Sequence, residues 1–130
     1  MSYLLGVHHV NLTIDDKPES IETAGHFYVD LLGLEVLPRP ENTDSGRPGY
    51  WLALGQSGQQ IHISMEENAS NYNESRRHSA FRVADLEALQ GRLTEAGVKI
   101  IGANQGQVRH RYIQRGYSSY ACNRAEYINR

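Results

Sequence analysis

The chain carries one cysteine, Cys122, so no intrachain disulfide can form, and a reducing compartment suits it. Neither sign of charge is in excess. Thirteen basic residues stand against 15 acidic ones, for a formal net charge of −2, which gives no reason to expect nucleic acid or an anionic membrane as a partner. No apolar run reaches transmembrane length, and no basic stretch leads into an apolar one as in a secretory leader. A cytoplasmic location is therefore expected. Aromatic residues are few apart from tyrosine, with 8 Tyr against 2 Phe and 1 Trp. Polar-tipped rings of that kind line sites and also pack ordinary walls. Hydrophobic residues make up only 39% of the chain, yet 130 residues suffice to bury the core of one domain.

What is present is a repeat. Residues 6–14 read GVHHVNLTI. Val10, Leu12 and Ile14 alternate with His9, Asn11 and Thr13, which predicts a strand with one apolar and one polar face. Residues 78–83, HSAFRV, repeat the pattern, with Phe81 and Val83 on one face and His78, Ala80 and Arg82 on the other; His78 follows His9 by 69 positions. LLGLEVL (31–37) then matches EAGVKII (95–101), pairing Gly33 with Gly97 at an offset of 64, and QIHIS (60–64) falls against RAEYI (124–128), pairing His62 with Glu126. The extra residues of the first copy fit DDKPESIET (15–23), a polar stretch that reads as a loop.

Each copy runs in the same order. A strand is followed by a helix, over about 20–32 in the first copy, where Ala24, Phe27, Tyr28, Leu31 and Leu32 share a face. In the second copy the helix spans about 85–96, with Asp85 as N-cap and Leu86, Leu89, Leu93 and Ala96 on one face. A glycine closes each helix. LEVL and VKII follow, then YWLAL and QIHIS in the first copy and HRYIQ and RAEYI in the second. The prediction is an α+β fold of two pseudo-symmetric βαβββ modules, about 1–65 and 76–130, within a single domain. MEENASNYNESRR (65–77) has no periodicity and reads as the linker. A module this small leaves one face of its sheet uncovered, so the two sheets must pack or curl together.

The repeat places His9, His62, His78 and Glu126 at two pairs of equivalent strand positions. A single strand histidine is ordinarily structural. Four such residues, carried by pseudo-symmetry towards one axis, instead make a divalent-metal site of three imidazoles and a carboxylate. Buried without a metal, that carboxylate would be costly. His8 shares the apolar face or starts the strand, and is read as structural. His26, on a helix, and His110, in RHR, are read as solvated.

These stretches together resemble the vicinal oxygen chelate superfamily, which includes glyoxalase I, extradiol dioxygenases, fosfomycin-resistance enzymes, methylmalonyl-CoA epimerase and bleomycin-resistance proteins. The resemblance is carried by HHVNLTI, AGHFYVDLLGLEVLPRP, QQIHI, RHSAFRVADLEALQGRLTEAGVKI and NRAEYI. It implies a cupped, barrel-like mixed sheet with helices outside, a small-molecule substrate and a homodimer. It also implies metal ligation by His9 and His78 from the first strands and by His62 and Glu126 from the last. The ion would be Fe, Mn, Ni, Zn or Co. One departure stands out: family members turn into the last strand through an Asp-Pro-x-Gly-Asn type sequence, whereas RGYSSYACNR (115–124) is longer, lacks proline and is expected as a loop.

A divalent ion held in this way is a Lewis acid that polarises a carbonyl and assists proton removal beside it. With four protein ligands, an octahedral ion keeps two positions for a substrate's neighbouring oxygens, which favours lyase or isomerase chemistry of glyoxalase or epimerase type. With His62 off the ion, three positions open, as an Fe(II) extradiol dioxygenase needs. A drug-sequestering protein of the bleomycin-resistance kind would lack the ligand set. No general base is identified by motif. Glu126 can serve as ligand or base, and Glu66, Glu67, Tyr50, Tyr112 and Arg77 are candidate neighbours.

Overall fold

The computed structural model describes residues 2–40, 46–67, 79–101, 109–114 and 117–123. The chain divides into two compact units, Met1–Ala69 and Ser70–Arg130. The first holds β1 (His9–Asp15), α1 (Pro18–Gly25), a π-helical turn (His26–Leu31), β2 (Glu35–Leu37), β3 (Gly49–Ala53) and β4 (Gln60–Glu66). The second holds β5 (Ser79–Val83), α2 (Leu86–Glu95), β6 (Lys99–Ile101), β7 (Arg109–Gln114) and β8 (Tyr117–Asn123). Both are βαβββ modules, and the α+β expectation is met.

Each module forms one mixed sheet, ordered β1-β4-β3-β2 and β5-β8-β7-β6. The first and last strands of a module run parallel, and the other neighbours are antiparallel. Alternation decides which face meets the helix. In the first module Ile14, Leu52, Ile61, Ile63 and Met65 are buried together with Ala24, Phe27 and Tyr28 of the helical segment. A Cβ on Gly25 would lie 2.7 Å from the Tyr50 hydroxyl, which locates the end of α1 directly over β3.

The first helix departs from expectation at both ends. It starts at Pro18, inside the stretch read as loop. Proline is well suited there, because its missing N–H falls among donors that a first turn leaves unpaired anyway. Beyond Gly25 the chain winds as a π turn, and the Leu32 N–H donates to the Phe27 carbonyl five residues back at 3.0 Å. Phe27 and Tyr28, adjacent in sequence, are both buried there with rings edge to face at 4.9 Å. Helix α2 matches its signals closely: Asp85 accepts from the Ala88 N–H at 2.9 Å. Its C-terminus closes with Val98 N–H to Leu93 C=O (2.9 Å) and Gly97 N–H to Thr94 C=O (3.0 Å), a Schellman arrangement. Gly97 sits at φ 77° and Gly33 at φ 72°, conformations that a Cβ disfavours.

The last strand requires a correction. Residues 117–123, read as loop, form β8, and it is β8 that pairs with β5 as β4 pairs with β1. Only residues 115 and 116 separate β7 from β8, so the two strands form a hairpin with Gln114 opposite Tyr117. The segment reads as loop because it stands where the family turns into its last strand, but its tyrosines suit a pleated surface. RAEYI, expected as that strand, lies at 124–128, outside the described residues.

Candidate functional site

In the first module the face away from α1 is polar. The ladder sets His9 beside Gln60, Asn11 beside His62 and Thr13 beside Ser64 in the parallel β1–β4 pair. Trp51 lies opposite His62 in the antiparallel β3–β4 pair. Since alternate residues share a face, His9, Asn11, Gln60, His62, Ser64 and Trp51 occupy one surface.

On that surface three rings stack. Trp51 and His62 lie 4.3 Å apart at 3°, and His62 and His9 lie 4.0 Å apart at 13°. His62 is half-buried between them, while His9 is exposed. Diagonal neighbours across a ladder are within reach of ring side chains, which is how His9 meets His62 although their backbones are offset by two residues. Beside the stack Asn11 and Ser64 bond reciprocally: the amide donates to the hydroxyl at 3.0 Å, and the hydroxyl donates to the amide oxygen at 3.2 Å.

Each imidazole has a polar neighbour. The Nε2 of His62 lies within hydrogen-bond distance of the Gln60 carboxamide, 2.8 Å from Oε1. The Nδ1 atoms of His8 and His9 are 2.9 Å apart and share one proton. With His9 as donor, its Nε2 keeps a lone pair for a ligand. Of the two places read for His8, the structure shows the second: it stands at the start of β1, exposed and bonded to His9.

Of the four expected ligands, His9 and His62 come together on this face; His78 and Glu126 lie outside the described residues. Among the described residues no group of three or more His, Cys, Asp and Glu is placed to hold a metal ion. The two imidazoles fit such an ion unequally. A nitrogen lone pair lies in its ring plane, and a bound ion sits about 2.1 Å from nitrogen along it. An ion midway between rings stacked 4.0 Å apart would stand well out of both planes. His9 can therefore serve as donor where it is, and His62 can join only after turning away from Gln60 and out of the stack.

The candidate neighbours sort differently. Tyr50 lies on the opposite face, its hydroxyl against Gly25, so it belongs to the helix-covered wall. Glu66, at the end of β4, and Glu67 are exposed. Tyr112 is on β7, as is His110, and Arg77 is outside the described residues. His26 is exposed as expected, 3.2 Å from Asp30. Trp51 was missed, though YWLAL contains the signal: with Tyr50 and Leu52 on the core face, Trp51 must point the other way. The repeat alignment also shifts. Matching Phe81 and Val83 to Leu12 and Ile14 sets Ala80 against Asn11. The ladder partner of Ala80 is Tyr120, so Tyr120 stands at the register position in β8 that His62 holds in β4; Glu126 lies outside the described residues.

Comparison with known proteins agrees with this architecture. The model of the Glyoxalase/Bleomycin resistance protein/Dioxygenase superfamily matches residues 6–115. No curated protein gives a match. Among solved structures, a glyoxalase family protein from Bacillus anthracis is 27% identical with a TM-score of 0.77, covering 95% of this chain and 98% of its own. The trypanothione-dependent glyoxalase I of Leishmania major shares the fold at 18% identity and a TM-score of 0.75, covering 97% of this chain and 91% of its own. TnmS3, an antibiotic binding protein from Streptomyces sp. CB03234, does so at 16% identity and a TM-score of 0.70, covering 95% of this chain and 98% of its own. With 110 consecutive residues matched and the paired βαβββ modules of that fold, the chain belongs to the glyoxalase/bleomycin resistance protein/dioxygenase superfamily.

Proposed function

We propose that the protein is a metal-dependent enzyme of this superfamily, a lyase or isomerase of glyoxalase or epimerase type. Its substrate is a small molecule that chelates the ion through neighbouring oxygens. The observation that carries the reading is the meeting of His9 and His62 on one polar sheet face, 53 residues apart in sequence, with rings 4.0 Å apart. His9, His78 and Glu126 are the proposed constant ligands, with His62 as a fourth. When bound, a divalent ion supplies Lewis acidity that makes a carbonyl's neighbouring proton easier to remove. The chain's own contribution is positional. His8 holds the His9 ring, Trp51 backs His62 with a flat apolar face, and the Asn11–Ser64 pair offers polar atoms beside the stack. A homodimer in the cytoplasm is part of the same reading.

One observation favours a second reading. In the stacked state Gln60 engages His62 Nε2, which leaves three protein ligands and suits an extradiol Fe(II) dioxygenase. Metal content of protein purified without added metal, with His9→Ala, His78→Ala and Glu126→Ala alongside, tests the common core. About one divalent ion per chain in the wild type and much less in each variant is expected. A wild type free of metal that still binds a drug-like ligand would make the protein a sequestering module instead. Turnover of 2-oxoaldehyde thiol adducts or epimerisable thioesters, against oxygen consumption on catechols, separates the two enzymatic readings.

A further inference from the structure

We propose that segment 3–7, which leads into β1, docks on a second copy of this chain, with the open edge of that copy's β2 as its seat. A homodimer is part of the reading above; the inference rests on that part and assigns the surface that makes it.

Three observations carry it. The chain joins the sheet at His8, whose carbonyl accepts the Gln60 N–H at 3.0 Å. Ahead of that bond Tyr3, Leu4, Leu5 and Val7 stand 94, 85, 101 and 57% exposed. The hydrogen bonds of this stretch are local: the Ser2 hydroxyl donates to the Leu4 carbonyl at 3.1 Å and accepts from the Leu4 N–H at 3.2 Å. A Cβ added to Gly6 would find nothing within 4 Å. Among the described residues the one further exposed large hydrophobic side chain is Val36. It lies on β2, the strand that ends the sheet on the side opposite β1 and is bonded to β3 alone among the described strands. One chain thus carries an apolar segment at one edge of a sheet and an apolar open edge at the other.

Area favours a second copy over an unrelated partner. The four side chains offer roughly 400 Å², counting about 200 Å² for a buried tyrosine and about 100 Å² for a buried aliphatic chain. One segment covering an equal area of an unrelated protein would bury roughly 800 Å², no more than a crystal contact. Two segments exchanged across a two-fold axis bury roughly 1,600 Å², the size of a standard stable interface. An open strand edge suits such a segment, because an extended chain adds to it through main-chain hydrogen bonds while its side chains meet apolar neighbours. The exchange also covers an edge that would otherwise invite uncontrolled pairing. A lipid surface fits less well. Residues 1–14 hold no Lys or Arg, so the segment lacks the cations that draw an interfacial anchor to an anionic bilayer.

Analytical ultracentrifugation of the full-length protein between about 0.1 and 100 µM, the span from firm to weak association, tests this. The wild type should sediment as a dimer. Leu4→Asp/Leu5→Asp and Val36→Lys should each weaken the dimer about 100-fold, since each forces a charge into an apolar contact, with the circular dichroism of the wild type retained. Leu4→Met/Leu5→Met, which keeps the apolar area, should remain dimeric. Because segment and seat touch each other, the combined aspartate and lysine variant should be little weaker than either alone. A dimer unmoved by Leu4→Asp/Leu5→Asp overturns the proposal while the homodimer of the reading above stands. Losses that add in the combined variant overturn the seat on β2. A wild type monomeric throughout the range overturns both the proposal and that homodimer. If it then sediments with phosphatidylcholine–phosphatidylglycerol vesicles, and the aspartate variant does not, the occupant is lipid.

Discussion

Gly49 is the position where the fold leaves least room next to the site. It opens β3 opposite Ser64, and an ideal Cβ built on it falls 2.5 Å from the backbone carbonyl oxygen of Ile63. Carbon and oxygen ordinarily approach to about 3.3 Å, so Gly49→Ala demands that two hydrogen-bonded strands part locally by roughly 0.8 Å. Neither side yields cheaply. Ile63 is buried at 1% exposure, and Arg39, whose guanidinium would lie 3.4 Å from the new methyl, donates to the carbonyls of Arg47 and Gly49 at 3.1 and 3.4 Å. Overpacking of this kind costs about 1–3 kcal/mol, and the stiffer unfolded chain returns roughly 0.4–1 kcal/mol. The expected net loss of about 1–2 kcal/mol should lower Tm by some 4–10 °C, taking about 4–5 °C per kcal/mol for a chain of this size. Circular dichroism melts measure this directly. Ile63 lies between His62 and Ser64, so the displacement also reaches the polar face, and Co(II) affinity should fall with Tm. An unchanged or raised Tm would refute the close approach of β3 to β4 described here.

Three further outcomes follow from the same geometry. Gly91 sits inside α2 with nothing within 4 Å of an added Cβ, so Gly91→Ala should stabilise by about 0.5–1 kcal/mol, the opposite sign to Gly49→Ala in the same melt. Asp85→Ala removes the acceptor of the Ala88 N–H and should cost about 1 kcal/mol in urea midpoint analysis, with Asp85→Ser recovering most of it. His8→Ala leaves the fold intact but takes away the partner of His9 Nδ1. Metal affinity should drop by about tenfold in a competition titration, and an unchanged value would remove His8 from the site.

The fold was legible where periodicity and punctuation agree. Alternation located β1, β3, β4, β5 and β7, and Asp85 with Gly97 bracketed α2, because strands and capped helices write their faces into local order. The misreadings share a cause. Pro18 was taken as a breaker when it occupies a first turn, and 117–123 as loop when a short hairpin connection lets a polar strand pair on both sides. In each case the deciding partner is remote or positional, and composition alone does not name it. A strand flanked by β5 and β7 needs no apolar signature to be held by its ladder.

The site was legible to the level of the face and no further. Period two assigns His9 and His62 to polar faces, and the parallel β1–β4 pairing, itself a product of the βαβββ order, brings those faces into one surface. What alternation does not encode is the torsion about each Cβ. That depends on neighbours two residues along and one strand across: Gln60 on the same strand, Trp51 on the next, His8 one step before His9. A side chain's face is a one-dimensional property of the chain, whereas the direction of a lone pair is a property of the packed surface around it. On the metal-dependent reading proposed above, the number of protein ligands, and with it the choice between lyase or isomerase and dioxygenase chemistry, would turn on residues that supply no ligand at all.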